Sequence, residues 1–222
     1  GEAGWGGGES GGRWGGQASA SRLLYTGFRD HAAADKWFGS GRAQWAGERD
    51  VLRLVAHGVS YHARNPGSLS DSLLAADRTQ AYGFNVVQET GEAAEQAQVG
   101  LTWTRAFGEG GDGSAVGDVG DDLASSGPPA EVHDSSRGRT GGPGVGSLEV
   151  TGWAMTRDLD NPIPPVIIDL GRVAAGVRAS ARGALDLASR RVRWVAGVDA
   201  EGQWDDRLNF ENEAGERGAL VL

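Results

Sequence analysis

Three glutamates, Glu89, Glu92 and Glu95, follow one another at three-residue spacing. Paired carboxylates hydrolyse glycosides when they face each other across a cleft roughly 5–10 Å wide. At this spacing they line one solvated face of a helical turn instead, which is the preferred reading. His57 and His62, with Asp71 or Asp77, could offer imidazole and carboxylate ligands. A zinc site needs three or four convergent donors, usually with a tighter signature, so these read as surface or strand-end residues. His31 and His133 stand alone. The string Gly8-Glu9-Ser10-Gly11-Gly12 spells GxSxG, but a nucleophile elbow sits on a strand-to-helix turn and no apolar strand precedes it. Asp112, Asp118, Asp121 and Asp122 lie in a glycine-rich stretch. That stretch lacks both the EF-hand order and a closing glutamate, so a solvated loop is expected over a calcium site.

Phosphate chemistry has no cradle here, because no GxxxxGK[ST] occurs and the sole lysine, Lys36, follows Asp35. Arg137-Gly138-Arg139 is one short RG-type segment; such segments neutralise and stack on nucleic acid, but a single copy in an acidic chain is little. The expectation is therefore no enzyme, no metal and no cofactor.

The remaining chemistry lies in the aromatics. The 222 residues include eight tryptophans. Trp37, Trp45, Trp103, Trp153, Trp194 and Trp204 fall in core-like segments, where they read as packing residues, with a sugar-stacking platform as the alternative. Trp5 and Trp14 stand apart in a stretch that is otherwise mostly glycine. Indoles held by so flexible a backbone are expected to seat in a neighbouring subunit, as assembly contacts.

The elements that must position these residues follow from composition. Glycine is the outlier, 38 residues or about 17% of the chain against a usual 7%. That surplus argues for turns, bulges and loops, and so for a β architecture. The net charge of −9 and pI near 4.9 disfavour nucleic acid, whose binders present a basic field. No cysteine is present, which removes disulfides, thiolate metal sites and thiol nucleophiles. The longest apolar run, near Val166-Ile167-Ile168, is far short of the ~20 residues of a spanning helix, so no membrane span is expected. Gly1 stands where an initiating methionine would, which leads us to expect a processed product or a fragment.

Residues 1–21 read as a glycine-rich arm and 22–222 as a single β-rich domain with a long Gly/Asp-rich insertion at 108–147. Strands are expected at 23–25, 51–56, 82–88, 98–105, 148–150, 165–170 and 192–198, each bounded by turn residues or alternating in polarity. In the clearest, Val99, Leu101 and Trp103 alternate with Gly100, Thr102 and Thr104. Helices are expected at 30–37, at 70–76 with Ser70 as cap, and at 172–189, where Val173, Val177, Ala181, Leu185 and Ala188 fit helical spacing.

Leu24-Tyr25-Thr26-Gly27-Phe28-Arg29-Asp30, then Trp37, Trp45, and Asp50-Val51-Leu52-Arg53-Leu54, resemble the opening of concanavalin A-like and laminin-G-like jelly rolls. Separately, Gly152-Trp153-Ala154 with Asp158, Asp160 and Pro162-Ile163-Pro164 is similar to a short repeat of secreted actinobacterial proteins. Both resemblances imply sandwich building blocks and carry no active-site residue. The fold expected is thus mainly β, a β-sandwich or jelly roll with long Gly-rich loops and one possible helix. The expected role is a structural or interaction protein of a larger assembly, a capsid or surface-layer component. Other protein subunits are its partners and its setting is extracellular or on a virion; a secreted carbohydrate-binding module that takes a glycan is the alternative.

Overall fold

A computed structural model describes residues 1–9, 12–108, 146–187 and 190–221. Among these residues nine strands form one antiparallel sheet in strict sequence order. They are β1 (Glu2–Glu9), β2 (Gly12–Tyr25), β3 (Ala34–Ala46), β4 (Asp50–Arg64), β5 (Gly91–Phe107), β6 (Gly146–Ile163), β7 (Val166–Leu187), β8 (Arg190–Glu213) and β9 (Glu216–Leu220). Two short helices, α1 (Asp71–Ala76) and α2 (Gly83–Val87), interrupt the β4–β5 connection. The mainly-β expectation holds, and the strands are far longer than the sequence segments that announced them.

The jelly-roll resemblance is corrected. A jelly roll divides its strands between two packed sheets, whereas this meander has one layer with β1 and β9 at its edges. Trp37 and Trp45, which carried the resemblance, lie near opposite ends of the single strand β3. The residues of the second likeness fall in β6 and the hairpin into β7. A single sheet layer by itself has almost no interior. Among the described residues, the buried apolar side chains are Ala46, Val51, Ala94, Ile167 and Ala174.

Residues 172–189 are not a helix; up to Leu187 they belong to β7. The i, i+4 spacing that suggested one is also an even number, so it places Val173, Val177, Ala181 and Leu185 on one face of a strand as readily as of a helix. Residues 30–31 are a turn and 34–37 already belong to β3, while the segment 82–88 contains α2 instead of a strand. The helix at 70–76 is present, with the Ser70 hydroxyl accepting from the Leu73 N–H.

The glycine-rich start is likewise no arm. Residues 2–9 pair with 12–19, and β2 pairs in turn with β3. Tryptophan makes this possible. The Trp5 indole lies over Gly16 and the Trp14 indole over Gly7, its partner directly across the ladder. A Cβ on Gly16 would come within 2.6 Å of Trp5. Trp153 covers Gly176 and Trp194 covers Gly183 in the same way. Flat rings laid across bare backbone supply the packing that glycine lacks, an aromatic rescue of weak strand positions. The insertion expected at 108–147 lies outside the described residues except at its edges.

At the end of the sheet that carries α1 and α2, polar bonds tie the loops together. Arg29 donates to the carbonyls of Gln80 at 2.9 Å, Gly67 at 2.7 Å and Pro66 at 3.2 Å. Thr90 is fully buried, its hydroxyl donating to Asn65 O at 2.8 Å. Asn212 donates from Nδ2 to Gln88 O and accepts the Gly215 N–H. Ala214 and Gly215 both have positive φ, as a tight two-residue hairpin requires.

Candidate functional site

Because directly paired residues share a face, the register sorts the whole sheet into two surfaces. One row runs Trp14, Trp45, Leu52, Trp103, Val150, Ala179, Val198. The next runs Trp5, Gly16, Ala43, Leu54, Leu101, Gly152, Val177, Ala200. The rows beyond add Ala18, Gly41, Ala56, Val99, Ala154, Ala175 and Gly202. This face is apolar, and nothing among the described residues covers it. Leu101 is 48% exposed, Val177 50% and Val198 69%.

Aromatic residues bracket the band. Trp45 and Trp37 mark its two edges on β3, and 37 through 45 is nine residues; Trp194 and Trp204 mark them on β8, and 194 through 204 is eleven. Seven of the eight tryptophans are on this face, Trp153 being the exception. Between the markers no charged side chain occurs on the apolar face among the described residues. Outside them charge appears at once: Asp35, Glu95, Asp158, Asp160, Asp169 and Asp206 towards the helical loops, Asp50 and Arg105 at the other end. Trp103 Nε1 donates to Asp50 Oδ1 at 2.9 Å, so that ring straddles apolar and polar surroundings. Arg22 lies over the Trp37 ring and pairs with Asp35 at the opposite border.

The opposite face is built mainly from polar residues joined across strands. Arg172 bonds Asp205 at 2.8 and 2.7 Å, and Arg178 bonds Asp199 at 2.6 Å. Arg42 bonds Gln17 at 2.6 Å, Arg53 bonds Gln44 at 3.0 Å, and the hydroxyls of Thr102 and Thr151 meet at 3.0 Å. Tyr61 donates to Glu92, which also faces Arg157.

The residues singled out from sequence are scattered by this geometry. Glu92 falls on the polar face and Glu95 on the apolar side's acidic border, because an odd separation along a strand reverses the side chain; Glu89 precedes the strand. His57 and His62, five apart, are divided in the same way, while Asp71 and Asp77 bound α1. No group of three or more His, Asp or Glu that could hold a metal occurs among the described residues. Ser10, His133, the aspartates 112–122 and the segment 137–139 lie outside them. Trp5 and Trp14 are on the apolar face, 46% and 50% exposed. Sequence reasoning missed the continuous band, whose signal was present as alternation in every strand.

No family model matches the sequence, and no curated protein matches it. Among solved structures the chain is similar to the ferric citrate transporter FecA, seen in its crystal structure in the unliganded form, at 12% sequence identity and a TM-score of 0.60. The match covers 98% of this chain and 27% of that one, so the chain spans about a quarter of the transporter's length. The likeness concerns the fold, and it too points away from a concanavalin A-like domain.

Proposed function

We propose that this chain is a section of the wall of a transmembrane β-barrel of the transporter type, with its apolar face against lipid and its polar face towards a wide interior. The observation that carries the reading is the uninterrupted apolar band, exposed on every long strand and bracketed by tryptophan. A strand tilted across a bilayer needs about 9–11 residues, which is the spacing between aromatic markers on β3 and β8. Barrel walls alternate apolar-out and polar-in, with aromatic girdles at both interfaces. In water the same surface would be an aggregation hazard. No helix among the described residues is long and apolar enough to cross a membrane, a criterion that does not bear on strands.

Solute passage along the polar face is the corresponding activity. The two sheet edges call for further strands. Trp5 and Trp14 then act at the lipid interface.

The cysteine-free background permits a direct test. Single cysteines at Val99 and Gln98, neighbours on opposite faces of β5, are treated with a membrane-impermeant thiol reagent in liposomes. Gln98→Cys should react and Val99→Cys should be shielded; equal reaction of both would refute the bilayer reading.

A further inference from the structure

Trp153 is the one tryptophan on the polar face, in the middle of β6. Both residues directly opposite it are glycine, Gly100 on β5 and Gly176 on β7. The indole leans over Gly176, where a Cβ would come within 2.6 Å of Nε1. On the other side a Cβ at Gly100 would meet nothing nearer than 3.9 Å. The ring therefore lies along the wall, with one face on bare backbone and the other turned away from the sheet. It is part-exposed, and among the described residues no cation or second ring stacks on it.

The same row continues to Val55 on β4, half exposed, and to Glu201 on β8, directly opposite Gly176. From β4 to β8 it crosses four strand spacings, about 19 Å. Its floor up to Glu201 is apolar side chain or bare backbone. Polar side chains flank it. On one bank the Thr102 and Thr151 hydroxyls meet at 3.0 Å, and Asp199 holds Arg178 at 2.6 Å. On the other Gln98 stands opposite Met155. The first bank is satisfied within itself, whereas Gln98 and the exposed Glu201 make no hydrogen bond or ion pair among the described residues. A fixed indole face is thus flanked by an amide and a carboxylate that the protein leaves unengaged.

We propose that Trp153, Gln98 and Glu201 form a binding site for a neutral oligosaccharide. The C–H bonds on a pyranose face suit the electron-rich face of an indole. Its hydroxyls point sideways, towards an amide that donates and accepts and a carboxylate that accepts. An apolar floor with a few placed polar groups is how small-molecule sites fix orientation. The unpaired Glu201, in a chain of net charge −9, turns the site against anionic solutes. The length of the row suits several sugar rings in line. This names a solute class for passage along the polar face and rests on the barrel reading for that passage alone; binding itself needs only that the polar face meets water.

Isothermal titration of the chain in a sugar-free detergent, lauryldimethylamine oxide, tests it, with β content followed by circular dichroism. Maltotetraose and cellotetraose serve as neutral probes and tetragalacturonate as an anionic one. Saturable binding of at least one neutral probe is expected, and none of the anionic one. Binding should be at least about tenfold weaker in Trp153→Ala, about fivefold weaker in Gln98→Ala/Glu201→Ala, and unchanged in Trp204→Phe on the apolar face. Should Trp153→Ala lose β content, the double variant, whose side chains hold no other part of the sheet, decides the matter. Absence of saturable binding with both neutral probes, undiminished binding in the folded variants, equal weakening by Trp204→Phe, or tetragalacturonate binding as tightly would overturn the proposal. The thiol-shielding experiment uses no sugar and this titration no bilayer, so the two readings fail separately.

Discussion

Replacing Val177 with arginine separates a lipid-facing wall from a water-facing one. Val177 lies midway along the apolar stretch of β7, which runs on that face from Gly171 to Leu185, and half of it is exposed. In water a substitution at so open a position, with room for a long side chain, changes stability by no more than about 0.5 kcal/mol. At the midplane of a bilayer the same arginine costs about 2–4 kcal/mol, a factor of roughly 30 to 700 in the folded-to-unfolded ratio. The next residue provides an internal reference. Arg178 is accommodated one position along because it points to the other face and bonds Asp199. Ser180→Arg, also on the polar face and opposite Glu149, should cost less than about 1 kcal/mol, since interior-facing positions tolerate charge. The assay is reversible guanidinium unfolding in liposomes, followed by tryptophan fluorescence. A Val177→Arg protein within about 0.5 kcal/mol of the parent there would refute the reasoning.

Other consequences are accessible by the same means. Gly176→Ala places a Cβ about 2.6 Å from Trp153 Nε1 and should destabilise by about 1–3 kcal/mol through overpacking, whereas Gly152→Ala, with nothing within 4 Å, should be far milder in the same unfolding experiment. Arg29→Ala removes the donors that hold Gln80, Gly67 and Pro66; hydrogen exchange should show residues 65–90 loosened and β4 and β5 unchanged. The Thr79 hydroxyl first, then its backbone N–H, hold the Asp77 carboxyl below its ordinary range. A depressed carboxyl stabilises the loop above its unfolded pKa and ceases to as pH falls through the folded value. Amide exchange around Thr79 should therefore accelerate below about pH 4, and Asp77→Asn should abolish that dependence.

Much of the local structure was legible in the residues alone. Alternation in 98–105 and 192–198 announced β5 and β8, Ser70 capped α1 as expected, and the excess of glycine pointed to a β protein. Other segments misled because their signals are degenerate. A four-residue apolar period in 172–189 serves a helix and a strand equally. A run of glycines looks like a flexible arm until a tryptophan on the adjacent strand is seen to lie across it.

The sequence by itself determined the period-two polarity of each strand, and with it which residues could share a surface. Only the tertiary structure decided that all those surfaces are one. A cross-strand register of directly opposed residues aligns the apolar positions of eight consecutive strands into a single band, and among the described residues no second layer packs over it. Pairing between strands is a long-range property, and no single segment contains it.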